Sequence, residues 1–276
     1  MTGWLAEPLR EPVVVRALVE LAVLSLVAGT LGCWIVLAGV SYGAESLAHS
    51  MLPGLAGAAL VGVPLVAGGA AGLAVGATLM ALAGRVRRLD AEVAVAVVIT
   101  ALFGLGVLLG LDPQAPAGLN GILFGDLLAV GWGEIALAAG AAVLVCAVLW
   151  VVHPSFLAVF FDREAAPALG RRAGRYEVVL ALLLALATLV AVQALGNLLV
   201  VALLVGPAAT ARLLTDRLAP MMAIGVVVGL LASACGLYLS FHAGLAGGAA
   251  VTACLCVAFL CALAARLVLA RVRLRA

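Results

Sequence analysis

Six stretches of this chain, 13–40, 92–111, 134–152, 176–193, 221–240 and 245–269, run for eighteen residues or more with at most two charged side chains in each. About 20 apolar helical residues, rising 1.5 Å apiece, cross the roughly 30 Å hydrocarbon core of a bilayer. A soluble domain has no way to bury six such runs in 276 residues, and its composition would differ. This chain is 67% hydrophobic and 10% charged, where a soluble domain carries about 25% charged residues. It is also far too apolar to stay disordered. Residues 1–276 therefore read as one all-α polytopic membrane domain.

The helix count turns on two stretches. Residues 195–211 are apolar but short, and 45–84 is long for one crossing and tight for two. Pro53 and Pro64 interrupt the second, and a broken segment survives at membrane depth only where protein or a cavity surrounds it. Arginines mark the cytoplasmic side: Arg85, Arg87 and Arg88; Arg163, Arg171, Arg172 and Arg175; Arg212 and Arg217; and Arg266, Arg271, Arg273 and Arg275. Segment 111–133 has no basic residue and is expected outside. One crossing by 45–84 makes eight helices with both ends inside, which suits Arg10 and Arg16; two crossings make nine and put the N-terminus outside. Eight is the expected number, within a range of seven to nine. Glycine pairs such as Gly54 with Gly57 and Gly68 with Gly72 predict close helix packing.

Several functions are excluded. All fifteen basic residues are Arg, so the chain cannot hold a P-loop lysine and cannot itself be an ATPase of that kind. A net charge of +2, spread over separate loops, does not suit nucleic acid. The six cysteines lie in apolar runs without a C-x-x-C and read as small hydrophobes. The first thirty residues do not resemble a cleaved signal peptide, because Glu7 and Glu11 spoil its basic start.

Ionisable side chains at membrane depth are costly and usually functional. Glu45 and His49, four apart, share a helix face beside the Pro53 break. A carboxylate and an imidazole can converge on a divalent cation such as Zn2+ or Mn2+, with Ser46 and Ser50 as supporting hydrogen-bonders; equally, the two can simply satisfy each other. His242, near the end of a span, is a weaker metal candidate. His153, before Pro154, reads as a cap at a cytoplasmic helix end, and Glu20 as a partner for Arg16. Asp126 and Asn197 are polar points without an evident partner. Residues 206–217 begin Gly-Pro and continue with small residues to Arg212, predicting a short helix that projects from the cytoplasmic face as a docking element.

Three motifs then carry a resemblance along most of the chain. Gly29-Thr30-Leu31-Gly32 precedes Gly43-Ala44-Glu45-Ser46-Leu47-Ala48-His49-Ser50-Met51-Leu52-Pro53-Gly54; Leu123-Phe124-Gly125-Asp126-Leu127-Leu128-Ala129-Val130 follows; and residues 196–214 end in Pro207-Ala208-Ala209-Thr210-Ala211-Arg212-Leu213-Leu214. In this order they resemble the permease subunits of bacterial ABC importers for zinc and manganese. The resemblance implies a type II importer architecture in the bacterial plasma membrane, with two copies of the permease around one pathway. It also implies two cytoplasmic ATP-binding subunits, an extracytoplasmic metal-binding protein, and Zn2+ or Mn2+ as cargo rather than cofactor. Glu45 and His49 become transient transport ligands, and residues 207–214 the coupling segment that docks on the ATPase. The family usually has Asp where this chain has Glu45, so the oxygens here sit one methylene farther out. The competing readings are a permease of the same architecture for a metal chelate or other small solute, and a non-transporting scaffold.

Overall fold

A computed structural model describes residues 7–83, 91–112, 127–161, 166, 170–196 and 199–273. In lipid every backbone N–H and C=O must be satisfied within its own segment, which leaves helix as the solution for these apolar runs. After a 3-10 turn at Pro8–Arg10, the described residues form α1 (Pro12–Leu37), α2 (Ser41–Ser50), α3 (Leu52–Val61), α4 (Leu65–Ala83) and α5 (Ala91–Gly110). Then follow α6 (Trp132–Phe161), α7 (Ala173–Leu195), α8 (Val200–Leu214), α9 (Leu218–Ala243) and α10 (Gly247–Arg273). Six of them, α1, α4, α6, α7, α9 and α10, are long and apolar enough to span a membrane alone; α5 and α8 carry shorter apolar runs.

The hub is α1, which packs on α6, α7, α8 and α9. Its core face carries Leu21, Leu24, Ala28, Leu31, Trp34 and Ile35. Glycine lets the backbones meet: a Cβ on Gly29 would strike the Val226 backbone, and one on Gly32 the Leu204 carbonyl. Lipid tails are as apolar as the side chains, so such close van der Waals contact, rather than exclusion of water, holds membrane helices together.

Residues 45–83 run out and back. Helices α2 and α3 form one leg, restarted at Leu52 with Pro53 in the first turn of α3. The chain turns at Gly62, in the left-handed region at φ +75°, and α4 returns antiparallel. Ser50 faces Gly76, Met51 faces Gly72, and Gly54 faces Gly68. On the other side Gly106 of α5 lies against Leu52 and Pro53, so protein surrounds the break, as expected. At 1.5 Å per residue, α2 with α3 spans about 31 Å and α4 about 28 Å, enough for two crossings.

A second observation agrees. Helices α1 and α9 are antiparallel: Gly29 meets Gly225, and Ser25 Oγ lies 3.4 Å from Ser233 Oγ. Because α9 starts beside Arg217 on the arginine-marked side, α1 must end on that side and begin outside. Within the expected range of seven to nine, the described helices make nine passes, with α2 and α3 counted as one leg, and on the arginine rule α1 begins on the outer side. On that arrangement Arg10 and Arg16 lie toward the outer side. The expected Arg16–Glu20 pair does not form either: Arg16 Nε and Glu20 Oε2 are both buried without a hydrogen-bond partner.

Candidate metal pathway and docking edge

Helix α2 is the polar interruption in this apolar chain, and only one of its faces is open. Ala44, Ser46, Ala48 and Ser50 are buried, whereas Tyr42 and Glu45 are exposed and His49 is partly so. Their spacing of three and four residues places Tyr42, Glu45 and His49 on one stripe. His49 Nε2 lies 3.7 Å from Glu45 Oε1, with side-chain exposures of 19% and 50%. That separation is within ion-pair reach and longer than a good direct hydrogen bond. The His49 ring meets the Phe103 ring of α5 edge-on at 5.1 Å, a contact that restrains its plane. Phe103 has no polar signature, and sequence reading missed it.

The serines do other work. Ser46 Oγ donates to the Tyr42 carbonyl at 2.7 Å and Ser50 Oγ to the Leu47 carbonyl at 2.8 Å. Both hydroxyl protons are committed to their own helix, so neither serine supports the ligand pair as expected. Ser50 instead packs against Gly76 at the α2–α4 crossing.

The other candidates lie apart. His242 occupies the last turn of α9, beside the Phe241 ring, on a helix that packs on α1, α8 and α10. Helix α2 packs on α4, α5, α7 and α8, touches its chain neighbours α1 and α3, and does not pack on α9. Among the described residues no third His, Cys, Asp or Glu joins Glu45 and His49 in a cluster that could hold a metal. His153 is not a terminal cap: α6 continues past Pro154 to Phe161, and the His153 ring meets Trp34 at 5.5 Å. Asp126 and the first half of the second motif, and Asn197 in the third, lie outside the described residues.

The 207–214 segment also differs from expectation. It is not a separate projecting helix but the C-terminal half of α8, with Pro207 inside that helix. Pro207, Ala208, Thr210 and Ala211 are buried, Ala209 is half-buried, and Ala208 and Ala211 pack with Cys33 and Met221. Thr210 Oγ1 donates to the Gly206 carbonyl at 2.8 Å, so its hydroxyl is turned back onto its own helix. The small residues are there because α8 crosses α1 at Gly32 with almost no gap. Only the end of the segment is presented: Arg212, Leu213 and Leu214, continuing to Asp216 and Arg217. Arg212 Nη1 pairs with Asp216 Oδ1 at 3.0 Å. A groove of about 630 Å3 runs from these residues to Arg266, Leu269 and Ala270 of α10.

The comparisons with known proteins bear directly on this geometry. Residues 10–266 match the model of the ABC 3 transport family. The chain belongs to the ABC 3 transport family. It is a membrane permease of the metal-ion ABC importer kind, as the three motifs implied. It is 33% identical over 236 residues to the manganese transport system membrane protein MntC of Listeria innocua, covering 86% of this chain and 84% of that one. It is 32% identical over 254 residues to the chelated iron transport system membrane protein YfeC of Yersinia pestis, covering 91% and 86%. The solved structure of PsaBC from Streptococcus pneumoniae in complex with Fab superposes with a TM-score of 0.86 at 27% identity, covering 95% of each chain. A metal-chelate type ABC transporter in an inward-facing conformation, at 14% identity and TM-score 0.68, shares the fold.

Proposed function

We propose that this permease imports manganese, and that Glu45 and His49 are its transient ligands. The observation that carries the reading is the open Glu45–His49 stripe on α2, beside a helix break buried in protein. A carboxylate oxygen and an imidazole nitrogen suit Mn2+ or Zn2+; the relatives named for manganese favour the first. A chelated metal arrives with its coordination filled and has no use for protein ligands, which argues against the chelate reading.

Two ligands from one chain make half a shell. A second copy related by a two-fold axis through the Tyr42–Glu45–His49 face doubles them to two carboxylates and two imidazoles. It also covers a carboxylate that is half exposed at membrane depth. The partial shell is what transport needs, since a site that closes fully on the ion releases it too slowly. High affinity belongs to an extracytoplasmic metal-binding protein that delivers the ion. Energy comes from two cytoplasmic ATP-binding subunits that dock at the Arg212–Leu214 end of α8.

The test is uptake of radiolabelled Mn2+ and Zn2+ by the complex reconstituted in vesicles. His49→Ala abolishes uptake and leaves assembly intact. Normal uptake by that variant sinks the assignment.

A further inference from the structure

The open stripe of α2 has a third member that the ligand pair leaves unused. Tyr42 is 49% exposed and stands one turn before Glu45 on the same face. Its depth follows from the path of the chain. Helix α1 ends at Leu37 on the arginine-marked side and α2 begins at Ser41, so Tyr42 lies at the cytoplasmic start of α2. At 1.5 Å per residue its backbone is about 4.5 Å nearer the cytoplasm than that of Glu45, and about 10 Å nearer than that of His49. A helical side chain leans over the turn before its own Cα, so the ring reaches away from the ligand pair and toward the cytoplasm. An ion that leaves Glu45 along this face passes Tyr42 last.

Tyr42 and His49 are held differently. The His49 ring is restrained by Phe103, whereas Ser46 Oγ donates to the main-chain carbonyl of Tyr42 and not to its phenol. Among the described residues the Tyr42 side chain makes no hydrogen bond, ion pair or ring contact, so the ring is free to swing about its two torsions. A movable aromatic at one end of a polar stripe has the chemistry of a constriction: it excludes water, and a hydrated cation with it, until it turns aside. Helix α8, which carries the Arg212–Leu214 edge, packs directly on α2, so a tilt of α8 reaches this stripe without an intermediary.

Building on the reading of Glu45 and His49 as pathway ligands, we propose that Tyr42 is the cytoplasmic gate of this permease. Its ring and that of the second copy close the exit beneath the ligands while they load, and swing aside to release the ion.

The complex with its ATP-binding subunits, free of native cysteines and carrying Glu45→Cys, is placed in inside-out vesicles. An impermeant cationic methanethiosulfonate reagent then approaches position 45 from the cytoplasmic side. Its rate of modification is read in nucleotide-free and in ATP-trapped complexes, and the slower of the two is the closed state. Adding Tyr42→Ala raises that slower rate at least tenfold, whereas Tyr42→Phe, which keeps the ring, retains most of the protection. Unchanged protection in Tyr42→Ala, or equal loss in both variants, overturns the gate and leaves the ligand reading standing. No modification of position 45 in either vesicle orientation removes the aqueous pathway, and the ligand reading falls with the gate. A second measurement keeps Glu45. Tyr42→Cys in the cysteine-free complex, oxidised with copper phenanthroline, links the two permease copies to each other. Absence of that linked dimer overturns the pairing of the two rings.

Discussion

Replacing Gly54 with Ala tests what holds the broken leg in place. The added Cβ meets three backbone atoms of α4: the Gly68 carbonyl oxygen, the Gly72 nitrogen at 2.8 Å and the Gly68 carbonyl carbon at 3.0 Å. Favourable contact between such atoms lies near 3.5–4.0 Å, and none of the three can rotate away, so α3 and α4 must separate by roughly an ångström. Overpacking of this kind costs about 1–3 kcal/mol, and a clash with backbone belongs at the upper end. Against it stands the gain from removing a glycine inside a helix, about 1 kcal/mol. The clash wins by roughly 2 kcal/mol, which lowers the melting temperature by on the order of 5 °C for a domain of this size. Gly57, one turn on, is the control: nothing lies within 4 Å of its ideal Cβ. Gly57→Ala retains only the propensity gain and melts no lower than wild type. Thermal unfolding of both variants in the same detergent decides the matter. A Gly54→Ala protein as stable as Gly57→Ala refutes the claim that backbone contact between α3 and α4 clamps the leg.

Charge reversal at Arg212 breaks its 3.0 Å pair with Asp216 at the presented end of α8, so Arg212→Glu lowers co-purification of the ATP-binding subunit or uncouples hydrolysis from uptake; unchanged coupling in a folded variant counts against docking there. The nine-pass arrangement places residue 9 outside and residue 216 inside, so a single cysteine at position 9 in a cysteine-free background reacts with an impermeant maleimide on intact cells and one at 216 does not; the reverse result at position 9 restores eight passes. The isolated permease binds Mn2+ at micromolar strength or weaker by calorimetry, and more weakly still at acidic pH, because protonated His49 is no ligand; nanomolar binding shows a closed cage instead.

Much of this protein is legible in one dimension because the bilayer imposes one-dimensional rules. A run such as 221–240 without a charge has to be a helix, and the loop arginines after residue 84 gather on one face whatever the packing. Glu45 and His49 share a stripe by helical period alone, so the ligand pair needs no tertiary information either. Periodicity is silent on what stands opposite each stripe. The small residues of Pro207–Ala211 suit a projecting turn and a tight helix crossing equally well, and Gly32 of α1 makes them the second. The hydroxyls of Ser46 and Ser50 are close to the ligands in sequence but bonded to the Tyr42 and Leu47 carbonyls of their own helix, and Ser50 is covered by α4 at Gly76.

By itself the sequence determined that this chain is a bundle of membrane helices, which side the arginines occupy, and which two ionisable residues share the interrupted helix. These follow from local composition and helical period, acting within a few turns. Only the tertiary structure decided that 45–83 runs out and back, that α1 descends against α9, and that the open face of α2 is the one bearing Glu45 and His49. Each of these depends on backbone contact between segments far apart in the chain: Gly54 with Gly68, and Gly29 with Gly225. A glycine records in the sequence that a close approach is possible, but not which helix makes it.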